Sequence, residues 1–103
     1  MSASPHATHA AITAVWRLEA AKVIATVARL TRDIGVAEDL AGDALVAALE
    51  HWPADGVPAN PGAWLTTAAK RRALDWLRHR TMAAATHEAL ALDEAAREAL
   101  YVP

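Results

Sequence analysis

Apolar residues recur at helical spacing along most of the chain, and this pattern predicts three main helices. In the first, from about Ala11 to Gly35, the spacings of three, four and seven residues place one set of apolar side chains on a single face. The set comprises Ile12, Val15, Trp16, Val23, Val27, Leu30 and Ile34. Gly35 is expected near the end of this helix, because glycine tolerates the positive φ of a helix C-terminus. The same periodicity predicts a second helix from about Val36 to His51.

A loop separates the second helix from the third. The segment from Trp52 to Gly62 contains three prolines and two glycines, which argues against a regular helix there. Asn60 followed by Pro61 is a typical helix start, with asparagine as the N-cap and proline in the first helical position. The third helix is therefore predicted from Pro61 to about Arg80. A weaker fourth helix could follow over residues 86–100.

Composition supports an all-α fold, a compact bundle of three main helices with a possible weaker fourth. Hydrophobic residues make up 54% of the 103 residues, and many are alanine, the best intrinsic helix former. The absence of cysteine excludes disulfides and thiolate chemistry. No apolar run reaches the roughly 18 residues that a membrane span needs, and the first ten residues lack a secretion signal. A cytoplasmic protein with a disordered tail over residues 1–10 is expected.

Charge is unevenly distributed. The formal net charge is −2, yet residues 70–80 hold five Lys or Arg and one Asp, which makes this stretch +4 and the remainder −6. Basic residues interleaved with Trp76 and preceded by Trp64 suit nucleic acid, because cations neutralise phosphates and aromatic rings stack on bases. A solvated basic helix end, favoured by the helix dipole, explains the same pattern equally well.

Helical spacing also separates the tryptophans. Trp76 falls on the apolar stripe of Leu65, Ala69 and Ala73, so we expect it in the core. Trp64 lies about 120° away around the axis and is expected at the surface that faces the loop.

Acidic residues cluster on the second helix, where Asp39 and Asp43 are one turn apart and Glu38 precedes them. Paired carboxylates could serve a metal or acid–base chemistry, but nothing in the sequence supplies the rest of such a site. No histidine pair has i, i+4 spacing, and no glycine-rich phosphate loop is present. We therefore expect no enzyme activity, no metal and no cofactor, and interpret the acidic face as a surface for a basic partner.

Two segments resemble region 2 of bacterial RNA polymerase sigma factors, most closely the extracytoplasmic-function group of the sigma-70 superfamily. Residues 33–49 contain Ala-Glu-Asp-Leu followed by an acidic residue three positions on and an apolar helix. Residues 63–78 are similar to the family's Ala-Trp-Leu helix with its later basic residues and Asp-x-Leu-Arg end. The resemblance covers roughly residues 12–80. It implies that residues 11–80 form a helical domain like sigma region 2, and that residues 81–103 form an acidic linker or a short C-terminal helix.

The resemblance implies two binding surfaces. The second helix would dock on the clamp helices of the polymerase β′ subunit through Glu38, Asp39, Leu40, Asp43 and Val46. The loop of residues 53–60 and the start of the third helix would capture a flipped base of the promoter −10 element, on the non-template strand, through Asn60, Trp64 and loop backbone. A last set would hold the DNA backbone: Lys70, Arg71, Arg72 and Arg78.

Some positions depart from the family pattern. Gly42 stands where glutamine is usual, Arg71 where asparagine is common, and the loop is rich in proline.

Residues 81–103 are too short and too acidic to form the helix-turn-helix that reads the −35 element, so an isolated domain is expected. An anti-sigma factor or a C-terminal extension is a further partner that the resemblance leaves open. The alternative function is a helical interaction module that binds polymerase or a regulator without reading DNA.

Overall fold

Three helices account for the fold in the computed structural model, which describes residues 5–101 and the side chains of residues 6–99. They are α1 (Pro5–Thr31), α2 (Ile34–Asp55) and α3 (Pro61–Tyr101). Each helix packs against the other two, and the described residues contain no strand. The predicted all-α bundle of three main helices is confirmed. Within residues 5–101, no helix combines the length and the apolar character that crossing a membrane requires.

The core lies where the three helices meet, and alanine lines much of it. Its largest fully buried side chains are Ile12, Val23, Val27, Trp52 and Leu65. Six alanines of α2 and α3 are completely buried among them: Ala37, Ala41, Ala44, Ala48, Ala69 and Ala73. Small side chains on facing helices let the helix axes approach closely, so a few large residues provide most of the apolar burial. Leu30 and Ile34, predicted on the buried stripe of the first helix, are instead 37% and 60% exposed.

The turn between α1 and α2 differs from the prediction. Gly35 lies inside α2 and does not end the first helix. The left-handed position is Arg32, with φ 55°, a conformation that costs a non-glycine residue about 1 kcal/mol. The reason is the capping preference of Asp33, because its carboxylate accepts a hydrogen bond from the Val36 N–H at 3.1 Å and so starts α2 at Ile34.

Asp33 offers a test of this capping. Replacing Asp33 with alanine should lower the free energy of unfolding by about 1 kcal/mol, because the Val36 N–H loses its acceptor. Asp33→Asn is the matched control, since asparagine caps about as well as aspartate. Thermal denaturation followed by circular dichroism measures both variants. Equal losses for alanine and asparagine would show that the side-chain cap does not stabilise the turn.

Helix α2 extends four residues beyond its predicted end at His51. It passes through Pro53 and ends at Asp55, so the loop is shortened to residues 56–60. Proline in a last turn removes one backbone hydrogen bond, while Trp52, only 2% exposed, fixes that turn to the core. Gly56 then reverses the chain at φ 88° and donates its N–H to the Trp52 carbonyl at 2.8 Å. A residue with a Cβ would be strained at that φ.

The start of α3 is as predicted. The Asn60 Oδ1 accepts a hydrogen bond from the Ala63 N–H at 3.1 Å, and Pro61 is the first helical residue. Gly62 is buried, and a Cβ there would lie 2.5 Å from the Glu19 Oε2. Glycine at this position therefore lets the Glu19 carboxylate of α1 approach the α3 N-terminus, where the helix dipole favours negative charge.

Two helices run further than the periodicity indicated. Helix α1 begins at Pro5, so it includes residues 5–10 of the expected tail; residues 1–4 lie outside the described part. Helix α3 continues without a break to Tyr101, in place of a separate fourth helix. No glycine or proline falls between Gly62 and Tyr101, and alanine-rich sequence propagates an existing helix readily. We call residues 83–101 the α3 extension.

Candidate functional site

One strip of α2 carries exposed acidic side chains. Asp39, Asp43 and Glu50 are exposed, and Val46 between them is 51% exposed. Their spacings of four, three and four residues place them on one side of the helix. We call these four residues the acidic strip. It contains three of the five residues predicted to bind polymerase, and it adds Glu50, which the same periodicity could have revealed.

The other two predicted residues of α2 lie off this strip. Leu40 is half-buried and packs against the core, so its side chain anchors α2 to the core and lies off the exposed strip. Glu38 is exposed but lies about 100° around the axis from Asp39. The structure therefore brings Asp39, Asp43 and Val46 together, with Glu38 on a neighbouring face.

Helix α3 presents the opposite charge. Lys70, Arg71 and Arg78 are exposed on its outer side, and we call these three residues the basic face. Neither Lys70 nor Arg71 is paired with a carboxylate of the described residues. Arg78 lies 3.6 Å from Asp75, with both side chains largely exposed, and such a pair contributes little to stability.

Arg72 behaves differently from its neighbours. Its guanidinium donates a hydrogen bond to the Ala68 carbonyl at 3.0 Å, and the residue is half-buried. This burial and backbone contact distinguish Arg72 from Lys70, Arg71 and Arg78, which are exposed. The basic stretch thus divides into an outer face and one arginine held against its own helix.

A shallow groove lies beside the start of α3, and we call it the Trp64 groove. It has a volume of about 410 Å³ and is lined by Pro58, Asn60, Ala63, Trp64, Thr67, Ala68 and Arg71. The loop contributes Pro58 and the cap residue, while successive turns of α3 supply the rest. Sequence reasoning missed Thr67, although it lies one turn from both Trp64 and Arg71.

Trp64 is anchored as well as accessible. Its ring meets Trp52 edge to face, with centroids 5.2 Å apart and planes at 71°, a favourable aromatic geometry. It is half-buried against the core, yet it lines the groove. The contact with a fully buried ring orients Trp64, so the exposed part of its surface is preorganised.

Trp76 is not the core residue that its position on the apolar stripe predicted. It is half-buried, and the Arg80 guanidinium lies 5.3 Å from its ring centroid in cation–π geometry. Ala73 is the last buried residue of α3. Trp76 lies three residues beyond Ala73, outside the fully buried part of the core. Trp64, predicted at the surface, packs against the core more closely than expected.

Within residues 5–101, no group of three His, Asp or Glu side chains lies close enough to hold a metal ion. The carboxylates of α2 are spread along an exposed strip and do not converge. The arrangement is suited to contacts with charged macromolecules.

Comparison with known families identifies the chain. A family model described as Sigma-70 region 2 matches residues 15–82. The chain belongs to the sigma-70 region 2 family. No curated protein and no solved structure matched it. The family consists of transcription initiation factors, not enzymes, and its members bind core RNA polymerase and promoter DNA.

The match to the sigma-70 region 2 family includes every predicted site residue. Its last matched position, Met82, lies five residues beyond Leu77, the last partly buried residue among those described in α3. The acidic strip, the Trp64 groove and the basic face therefore all belong to the family domain. The α3 extension lies beyond it.

Proposed function

We propose that this sigma region 2 domain docks on the β′ clamp helices of core RNA polymerase and recognises the promoter −10 element as single-stranded DNA. Membership of the extracytoplasmic-function group of sigma factors is part of this proposal. The observation that carries it is the Trp64 groove, which combines an oriented indole, the Asn60 amide and an unpaired guanidinium, and which adjoins the basic face.

The chemistry of the groove suits one unstacked base and its phosphate. Stacking on an aromatic side chain contributes about 1–3 kcal/mol per base, and the Trp52 contact already holds the Trp64 ring in place. The Asn60 Oδ1 is occupied by the helix cap, while its amide nitrogen has no partner among the described residues and is free to donate to a base edge. Arg71, on the same groove, can neutralise the adjoining phosphate.

The acidic strip supplies the second half of the proposal. Protein interfaces commonly have an apolar centre and a polar rim. In the acidic strip, Val46 would be the apolar centre and the exposed carboxylates around it would be the rim. A basic partner helix would gain electrostatic steering from Asp39, Asp43 and Glu50 without penetrating the core. Because this strip and the Trp64 groove belong to different helices, the domain can contact polymerase and DNA at the same time.

Reversing one charge on the strip tests the docking. Asp43→Arg should weaken association with a β′ clamp-helix fragment by about tenfold or more, because it places a cation at the centre of a surface that meets a basic partner. Isothermal titration calorimetry measures the affinity. The domain should keep its thermal stability, since Asp43 is exposed and makes no ion pair within the described residues.

Glu94→Arg on the α3 extension is the matched control, because it changes net charge by the same amount far from α2. It should leave the affinity for the fragment within about twofold, as for a distant exposed charge at moderate salt. Equal weakening by both variants would show that only net charge matters. An unchanged affinity for Asp43→Arg would remove the acidic strip from the docking surface.

A further inference from the structure

The α3 extension is helical but has no partner in the described fold. Every described side chain from residue 83 to residue 99 is exposed. Large apolar residues are among them, with Leu90 58% and Leu92 72% exposed. The extension also holds four carboxylates, at Glu88, Asp93, Glu94 and Glu98, against the single Arg97. It is therefore an acidic helix with solvent-exposed leucines.

A groove of opposite charge lies at the base of this extension. It is formed between the end of α1 and α3, has a volume of about 600 Å³, and carries no carboxylate. Leu30 and Leu77 form apolar walls, while Arg32 and Arg80 supply two positive charges. Neither arginine is paired with a carboxylate of the described residues. We call it the Arg80 groove.

The extension of one molecule cannot enter its own Arg80 groove, because a continuous helix of 41 residues runs about 60 Å in one direction. A second copy placed antiparallel can. The basic part of α3, residues 70–80, precedes the acidic part, so antiparallel helices bring opposite charges together, whereas parallel helices bring like charges together.

Helical geometry selects the register. Leu77 and Leu92 lie within about 60° of each other around the axis, with Glu88 between them on the same side. If the twofold axis passes between Ala84 and Ala85, Leu77 of one copy faces Leu92 of the other at both ends. Glu88 of the second copy then lies level with Thr81, beside Arg80. The two alanines at the centre let the helices approach closely.

We propose that two copies of this chain associate through antiparallel α3 helices, with the extension of each molecule in the Arg80 groove of the other. The interface combines two leucine contacts with Arg80–Glu88 pairs across the twofold axis. It shares no residue with the acidic strip or the Trp64 groove proposed above for polymerase and DNA, whereas Arg78 of the basic face lies on the same stretch of α3 as Leu77 and Arg80.

Two leucines of the extension provide a matched test. Leu92→Asp should strongly weaken association. Sedimentation velocity measures association as a concentration-dependent rise in mass from 10.9 kDa towards twice that value. Leu90→Asp makes the same change two residues away, on the opposite side of the helix. It should shift the dissociation constant by no more than about twofold, against about tenfold or more for Leu92→Asp. Circular dichroism checks that both variants keep their helix content.

A charge exchange tests the register. Arg80→Glu and Glu88→Arg should each weaken association, and the double variant should restore it, because the pair is then reversed across the twofold axis. Salt at about 0.5 M should also weaken the wild-type association, since exposed pairs are screened. A single 10.9 kDa species at all concentrations would overturn the proposal. So would equal effects of Leu90→Asp and Leu92→Asp, or a double variant as weak as the single ones.

Discussion

Replacing Trp52 with alanine should remove most of the domain's stability. Truncating a buried tryptophan costs about 3–5 kcal/mol through lost burial and the cavity left behind, and a domain of this size is stable by only about 5–15 kcal/mol. Trp52 is 2% exposed, and six of the other ten buried core residues are alanines, whose short side chains cannot fill the space. Urea denaturation followed by circular dichroism should show the midpoint move to a much lower concentration or the transition disappear.

Trp76→Ala is the matched control for this loss. The same atoms are removed, but from a half-buried ring covered on one face by Arg80, so we expect a loss of about 1 kcal/mol. Trp52→Phe should fall between the two variants, because it keeps an aromatic ring and removes an indole N–H that is buried without an acceptor. A loss for Trp76→Ala as large as that for Trp52→Ala would place the centre of the core elsewhere.

Reversing the charge of Arg71 should weaken binding of single-stranded DNA by about tenfold or more at low salt. Arg71 is exposed and unpaired, and it is the charged side chain of the Trp64 groove. Losing one phosphate contact should also reduce the slope of log K against log salt by about 0.7. Fluorescence anisotropy of a labelled −10-like oligonucleotide, titrated at several salt concentrations, measures both quantities.

Two further variants make this result specific. Arg97→Glu changes net charge equally but lies on the α3 extension, so it should alter affinity by about twofold or less under screened conditions. Arg72→Glu should have an intermediate effect, because its guanidinium already donates to the Ala68 carbonyl. Binding that ignores salt and all three variants would favour an interaction module that does not read DNA.

Varying each base of the same oligonucleotide separates base recognition from backbone binding. A groove that captures one base predicts that a single position dominates the affinity differences. A groove that only holds phosphates predicts nearly equal affinities for all sequences, with an unchanged salt slope. The second outcome would leave DNA binding intact and remove −10 recognition from the proposal.

The distribution of charge explains how a chain with a net charge of −2 can serve two charged partners. Carboxylates line the exposed strip of α2, and cations line the outer side of α3. A Debye length of about 8 Å at physiological salt keeps each field local, so the net value does not describe either surface. Lys70 and Arg71 have no carboxylate partner within the described residues, which leaves both available for phosphate.

Local sequence signals predicted much of this molecule. Alanine content and apolar spacing indicated helices, and Asn60 with Pro61 marked the start of α3, because capping depends only on a side chain and backbone groups three residues away. Two motifs, in residues 33–49 and 63–78, led to the family that the comparison confirmed. The same local reasoning placed Asp39 and Asp43 together, since i, i+4 neighbours share a helix face wherever the helix lies.

Helix boundaries were harder to predict, because neighbouring elements compete for the same residues. Gly35 is the expected end of α1, but Asp33 caps α2 before it. His51 is the expected end of α2, but Trp52 is held in the core and the helix continues through Pro53. In both places a contact made by one side chain outweighed the preference of its neighbour. The free-energy differences between such alternative helix boundaries are about 1 kcal/mol. Differences of this size are too small for the sequence pattern alone to decide where a helix ends.

The sequence by itself determined that the chain is helical, where its charges concentrate and to which family it belongs, because these properties depend on composition and on residues a turn apart. Only the tertiary structure decided which tryptophan is buried, since burial depends on how the three helices pack together. It also decided that loop residues and α3 share the Trp64 groove, and that the extension continues α3 past the bundle. Those features depend on residues far apart in the chain, and periodicity within one helix carries no information about the helix beside it.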